Sequence, residues 1–432
     1  MLSAVLCIGC AAQGSSTASD QPAQSNGGSE NEAAAKLKLS EWAEKYPLQY
    51  NSFATLKTKE WTNAYEGHYS LGLKLLAPIA RDEKNVNNIS FDEDGAMAVE
   101  NLVYDDTIGK WIAGDSKYGP LESRLTDVKG CYQCKTSNFD DLLAGSGESM
   151  AAEPLDQEFL DAMNGQIWDC YLCHTETPED GYDSTITMFS RVTGDTYNDL
   201  TPEDRVCGQC HNHVVHNPLF QSGMAWSDYQ PFKYGFDADS VLKAEKEYGF
   251  GTFEESTGIT TYRSSHAELE ITLDSNHRSL GVTCVDCHMA EQTDAETGQT
   301  YSDHDASGSP LESKAALEYC LTCHKTQGID STDQMVEMVK NLQDETAQKG
   351  KANKEKLASL HSLIEEANQS GSVDSATLDK ARDLYTQAKF YSEWGTFGNG
   401  AEYVKVVHNP EVIASLMQRS DTVMDEAIAL FA

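Results

Sequence analysis

Five short segments carry the residue types and spacing for covalent cofactor chemistry: Cys131-Tyr132-Gln133-Cys134-Lys135, Cys170-Tyr171-Leu172-Cys173-His174, Cys207-Gly208-Gln209-Cys210-His211, Cys284-Val285-Asp286-Cys287-His288 and Cys320-Leu321-Thr322-Cys323-His324. Two thiols separated by two residues can add to the two vinyl groups of one haem, and the next residue is then held beneath the iron as an axial ligand. In four segments that residue is histidine, and in the first it is Lys135. A zinc ribbon also uses paired Cys-x-x-Cys units, but it needs no nitrogen ligand directly after every second cysteine. Five covalently attached haem c groups are therefore expected. The odd one, on Lys135, is the expected place for chemistry, and the other four are expected to carry electrons to it. Lysine ligates only as a neutral amine, so the iron must displace its proton.

Of the 12 cysteines, ten lie in the five pairs and only Cys7 and Cys10 remain, so no disulfide framework is implied. Of the 12 histidines, the motifs use His174, His211, His288 and His324, leaving His68, His213, His216, His266, His277, His304, His361 and His408. A low-spin electron-transfer haem takes a second axial ligand, so four such haems draw on this surplus unless a methionine serves. His361, among charged neighbours, reads as a solvated surface residue.

The elements that must position these groups divide the chain into four stretches. Residues 1–10 form a short apolar run ending at Cys10, similar to the end of a bacterial lipoprotein signal with Cys10 as the lipidated residue. Residues 11–36, rich in Ser, Gln, Gly and Asn, read as a flexible tether. Residues 37–330 hold the motifs among short apolar runs and Gly/Asp/Ser-rich connections with little strand alternation. Loops draped around haems and short helices carrying the cysteines are expected there. Residues 331–432 change to long helices: Met335, Val336, Met338, Val339 and Leu342 make one apolar stripe, and Leu357, Leu360, Leu363 and Ile364 another. Gly371 is a stop signal, a second helix runs from about Ser375 to Trp394, and a third starts after Pro410. The fold class is mainly α, a multihaem fold of haem-organised loops and short helices followed by long C-terminal helices.

A hydrophobic content of 39% is lean for 432 residues, and haem macrocycles can supply the missing apolar core. The formal net charge of −37 argues against nucleic acid or anionic lipid as a partner and requires a local positive channel for any anionic substrate. Haem c is attached outside the cytoplasm, which places the chain in the periplasm or on the outer cell surface.

With a lysine motif followed by four histidine motifs, the chain resembles the ammonia-forming pentahaem cytochrome c nitrite reductase family over nearly all of its length after the tether. Trp42 to Phe53, His266-Ala267-Glu268-Leu269-Glu270, Asn276-His277, Val282 to Met289, the segment ending at His304 and the segment beginning at His408 carry the resemblance. It implies Lys135 as proximal ligand of a catalytic haem whose opposite face is open. It implies His304 as distal ligand to the haem of His174, His408 to that of His288, and His277 to that of His324. His266 corresponds to the active-site histidine that hydrogen-bonds substrate and moves protons. The activity implied is six-electron reduction of nitrite to ammonium, fed by a membrane-associated quinol-oxidising cytochrome c, in a homodimer joined through the C-terminal helices.

The chain departs from the family pattern in the pocket. Asp115 stands where the family has an arginine twenty residues before the lysine, and the alternative register reaches Thr107, with Arg124 nearby. Val214 stands at the family tyrosine and His213 at its calcium-binding glutamate, leaving Arg263 and Ser265 at other calcium positions without that carboxylate. The distal ligand of the His211 haem is left among His213, His216, His68 and Met97. Hydroxylamine, sulfite or another small oxyanion is an alternative substrate, and a pure electron-transfer cytochrome serving a separate reductase is an alternative of another class.

Overall fold

The computed structural model describes residues 36–55, 85–91, 97–105, 110–113, 129–134, 136–154, 158–159, 162, 169–178, 181–216, 224–264, 266–306, 309–396 and 404–432. Cys7, Cys10, His68, Thr107, Asp115, Arg124, Lys135 and Ser265 lie outside the described residues, as do the side chains of Met97, Cys131 and His216.

Three long helices organise the C-terminal part. The Thr332–Ser370 helix spans 39 residues as one element, opened by Ser331, whose side chain accepts from the Gln334 amide, and closed by Gly371 at φ 64°. That left-handed cap is cheap only without a Cβ. The helix Ser375–Thr396 returns along it, and Pro410–Ile428 makes the third. Asn409 caps the last helix through the Val412 amide, with Pro410 at its first turn, where a missing N–H costs nothing.

Leu357, Leu360, Ile364, Leu378, Ala381, Leu384, Met424 and Ala427 bury the facing stripes of all three helices. Each such large aliphatic side chain contributes about 2 kcal/mol through burial. At their other ends, Phe390, Trp394, Ile413, Leu416 and Met417 join a second buried cluster with Phe139, Val214, Trp226, Phe232 and Val241. The start of the long helix also packs, through Met335 and Val336, on Leu317 and Leu321 of the Lys314–His324 helix. The long helices thereby form a wall against which the motif-bearing region is built.

Strand structure exceeds the sequence expectation. Asn85–Phe91, Met97–Asp105 and Lys110–Ala113 form an antiparallel three-stranded sheet, and Thr252–Glu254/Ile259–Thr261 and Glu291–Thr293/Thr300–Ser302 form hairpins. The asparagines at 85, 87 and 88 break the apolar alternation that would have announced the first strand. His361 is also not simply solvated: its Nε2 lies 2.7 Å from Glu254 Oε2 and ties the first hairpin to the long helix. Among the described residues, no helix is long and apolar enough to cross a membrane.

Candidate functional site

Every described motif is a single helical turn. The His174 amide donates to the Cys170 carbonyl and the His211 amide to the Cys207 carbonyl, both at 2.9 Å. Cys284–His288 is a short helix opened by a Thr283/Asp286 capping box, and Cys320 to His324 form the last turn of Lys314–His324. Residues four apart share a helical face, so the first cysteine and the histidine of each motif address the same ligand. The nine described motif cysteines form no disulfide.

The third motif sits at the centre. Cys134 Sγ lies 3.9 Å from the Gln209 carbonyl oxygen, bringing the lysine motif against it. Gln209 Nε2 donates to the Leu172 carbonyl at 2.8 Å, which attaches the second motif. The Cys284–His288 helix packs on Pro202–Gly208, which leads into the third motif, and on Lys314–His324, which carries the fifth.

Three pairs of imidazoles face one another. Two imidazoles bound to one iron through nitrogens about 2 Å away have ring centres about 6.3 Å apart. His174 and His304 are near-parallel at 6.3 Å, His288 and His408 near-parallel at 6.2 Å, and His277 and His324 lie 6.1 Å apart with their planes at 57°. The Nδ1 atoms of His174, His304 and His408 lie 3.2, 2.8 and 2.9 Å from the carbonyls of Gly181, Ser302 and Lys405. A proton on Nδ1 donates to each carbonyl and leaves Nε2 with its lone pair for a metal. Burial holds all six imidazoles below their ordinary range, His288 down to about 4, so they are neutral and able to ligate at pH 7. These residues fit haem groups.

His211 and His266 are arranged differently. Their ring centres are 5.9 Å apart, and Nδ1 of His211 and of His266 lie 3.4 and 3.7 Å from the same oxygen, Glu268 Oε1. Rings sandwiching an iron through both Nε2 atoms would hold their Nδ1 atoms about 8 Å apart, further than one shared oxygen allows. His266 is thus not the second ligand of a His211-bound iron. It is also the one described non-glycine residue with positive φ, 55°. Strain of this kind costs about 1–3 kcal/mol and persists where surrounding contacts hold a side chain in a required direction.

Glu268 also pairs with Lys405 Nζ. Burial pushes its carboxyl up, but the hydrogen bond from His211 and the charges of Lys405, His211 and His266 outweigh burial and hold it well below the usual carboxylate range.

His213 is committed elsewhere. Its Nε2 lies 3.0 Å from Glu245 Oε1, Tyr229 donates to the same oxygen, and its ring packs on Phe390 and Trp394. The His213 amide donates to Glu270 Oε1 at 2.8 Å, and burial pushes the Glu270 carboxyl up to about 8. Val214, at the position of the family tyrosine, is wholly buried.

Sequence reading missed Glu268, Lys405, Gln209, Glu245 and Glu270 as supporting groups. Glu268 and Glu270 stand directly after His266 in the sequence and were legible as acids beside it. Lys405 had no such signal, being 137 positions from its partner.

The cytochrome c552 family model matches residues 118–431. Cytochrome c nitrite reductase subunit NrfA of Nitratidesulfovibrio vulgaris is 24% identical over 323 residues, covering 69% of this chain and 59% of its own length. Cytochrome c-552 of Haemophilus ducreyi is 23% identical over 392 residues, covering 86% of this chain and 70% of its own. Against the first, then, the chain spans under two thirds of its relative's length. The solved catalytic subunit of cytochrome c nitrite reductase from Desulfovibrio desulfuricans, described by its two calcium sites, superposes with a TM-score of 0.63 at 17% identity, over 91% of this chain and 86% of that one. The fold is that of this enzyme's catalytic subunit.

Proposed function

Because the chain belongs to the cytochrome c552 family, we propose that it is a pentahaem reductase, reducing nitrite to ammonium in six electron steps at the haem of Lys135. The observation that carries this reading is His266, held in a left-handed backbone conformation with Nδ1 3.7 Å from the Glu268 carboxylate. Bound haem would supply the iron that takes the nitrogen oxyanion and the electrons that reduce it. His174, His304, His288, His408, His277, His324 and His211 would hold the electron-carrying groups, with the cysteine pairs as attachment points. His266 Nε2 would hydrogen-bond an oxygen of the substrate and pass it protons, with the Glu268 carboxylate 3.7 Å from Nδ1 stabilising the cationic ring by its charge. Lys405, paired with Glu268, would place a positive charge close to His266.

His213 Nε2 on Glu245, where the resemblance has a calcium-ligating glutamate, supports a pocket built without calcium at that point. A second reading keeps the chemistry and changes the substrate to hydroxylamine, sulfite or another small oxyanion. It is favoured by the buried Val214 in place of tyrosine, which removes a phenol donor from the pocket wall. The chain would work outside the cytoplasm, tethered through Cys10 and fed by a membrane-associated quinol-oxidising cytochrome c.

The test is carbon monoxide binding to the reduced protein together with ammonium measured from nitrite. One haem in five should bind carbon monoxide. His266→Asn should keep haem content and ligand binding while lowering turnover about 10²- to 10⁴-fold. No carbon monoxide binding would mean a closed site and an electron-transfer protein. Binding without nitrite turnover, but with hydroxylamine or sulfite reduced, would select the second reading.

A further inference from the structure

Glu268 is a buried carboxylate that faces two imidazoles, those of His211 and His266. Its Oε1 faces Nδ1 of His211 at 3.4 Å and Nδ1 of His266 at 3.7 Å and is paired with Lys405 Nζ. The carbonyl of Lys405 in turn lies 2.9 Å from Nδ1 of His408, whose ring faces His288 at 6.2 Å. A single ion pair therefore touches the third motif, the fourth motif's ring partner and the active-site histidine. Glu268 is 9% exposed and Lys405 24%, so water screens their fields weakly.

A carboxylate that takes the Nδ1 proton of an iron-bound imidazole strengthens it as a donor and favours the ferric state, and a nearby ammonium does the reverse. The two charges act on the same imidazoles with opposite sign, and at His288 and His408 the carboxylate outweighs the ammonium. Glu268 meets His211 directly, at 3.4 Å. His211, His266 and Glu268 offer ligand atoms within 4.8 Å of one another, as a metal site would. The positive charge against that carboxylate is already supplied by Lys405.

We propose that Glu268 is a positioning residue that lowers the reduction potential of the His211 haem, with the Lys405 ammonium paired to it opposing that shift. The third motif lies against the lysine motif through Cys134 and Gln209. A low-potential haem on His211 is thus a strong donor beside the pocket that His266 lines. The proposal rests on reading His211 as an iron ligand and takes nothing from the identity of the substrate.

The experiment is a spectroelectrochemical titration of the five-haem protein, with electron paramagnetic resonance to follow individual haems, in Glu268→Gln, Glu268→Asp and Lys405→Met. Glu268→Gln should raise the potential of the His211 haem, changing the equilibrium of electron transfer to its neighbours by about tenfold, and Glu268→Asp should restore it in part. Lys405→Met removes the opposing charge and should lower the potential of the same His211 haem, and the His174/His304 haem should not move in any variant. Shifts of the same sign on the His211 haem in the Gln and Met variants, or unmoved potentials, would overturn the proposal and leave Glu268 only its place beside His266. If Glu268→Gln does not fold, Lys405→Met decides alone. Opposite shifts in a protein that does not reduce nitrite would keep this proposal and remove the substrate reading. Nitrite reduction with unmoved potentials would do the converse.

Discussion

Gln209 Nε2 donates a 2.8 Å hydrogen bond to the Leu172 carbonyl, so the third residue of one Cys-x-x-Cys-His motif is bolted to the third residue of another, 37 positions away. Gln209 Oε1 accepts from the amides of Thr185 and Ile186 and from the Ser184 hydroxyl at 2.8 to 3.0 Å. Gln209→Ala would leave buried donors and an acceptor unpaired and should cost roughly 3–5 kcal/mol. Denaturant unfolding of the haem-loaded protein checks this, and a loss below about 1 kcal/mol would mean that the motifs are held together by haem packing alone.

Facing histidines should behave as closed sites that can be opened one at a time. His304→Ala removes the ring opposite His174 and His408→Ala the ring opposite His288. Each variant should raise carbon monoxide binding in the reduced protein from one haem to two. An unchanged stoichiometry in either would show that the ring faced something other than an iron.

Glu270 should make stability fall as pH rises. Its carboxyl is pushed up to about 8 by burial, with the backbone hydrogen bond from His213 opposing and the charge of Glu268 adding to the rise. The folded protein thus holds a proton that the unfolded chain releases near the ordinary value of about 4.3. This contribution is complete below about pH 4 and is lost between about pH 4 and 8, to a total of roughly 3–5 kcal/mol. Glu270→Gln keeps an acceptor for the His213 amide and removes the titration. The variant should gain in melting temperature over wild type progressively from pH 5 to pH 8, and a constant difference across that range would contradict the assignment.

A second copy is the expected cover for the long C-terminal helices, and dimerisation would let electrons pass between subunits. Sedimentation at micromolar concentration should give twice the chain mass of 47.4 kDa plus haem. A monomer would remove this part of the family resemblance.

The haem motifs, the long helices and the histidine pairs were legible because each rests on local spacing or on a motif order that the family resemblance recognises. Gly371 and Pro410 announced a helix end and a helix start through backbone rules that need no neighbour. The sheet at residues 85–113 was hidden because asparagines interrupt its alternation, and strand pairing is decided by the partner across the ladder.

The sequence by itself determined where the five Cys-x-x-Cys units stand and which nitrogen-bearing residue follows each pair, and the family resemblance implied which three histidines oppose which motifs. Only the tertiary structure decided that His213 turns to Glu245 and away from iron, that Gln209 joins two motifs, and that Glu268 is shared between His211 and His266 beneath Lys405. The physical reason is range: covalent attachment and helical turns act over a few residues. A buried carboxylate instead takes its partners from wherever the fold brings cations and imidazoles, here up to 137 positions along the chain.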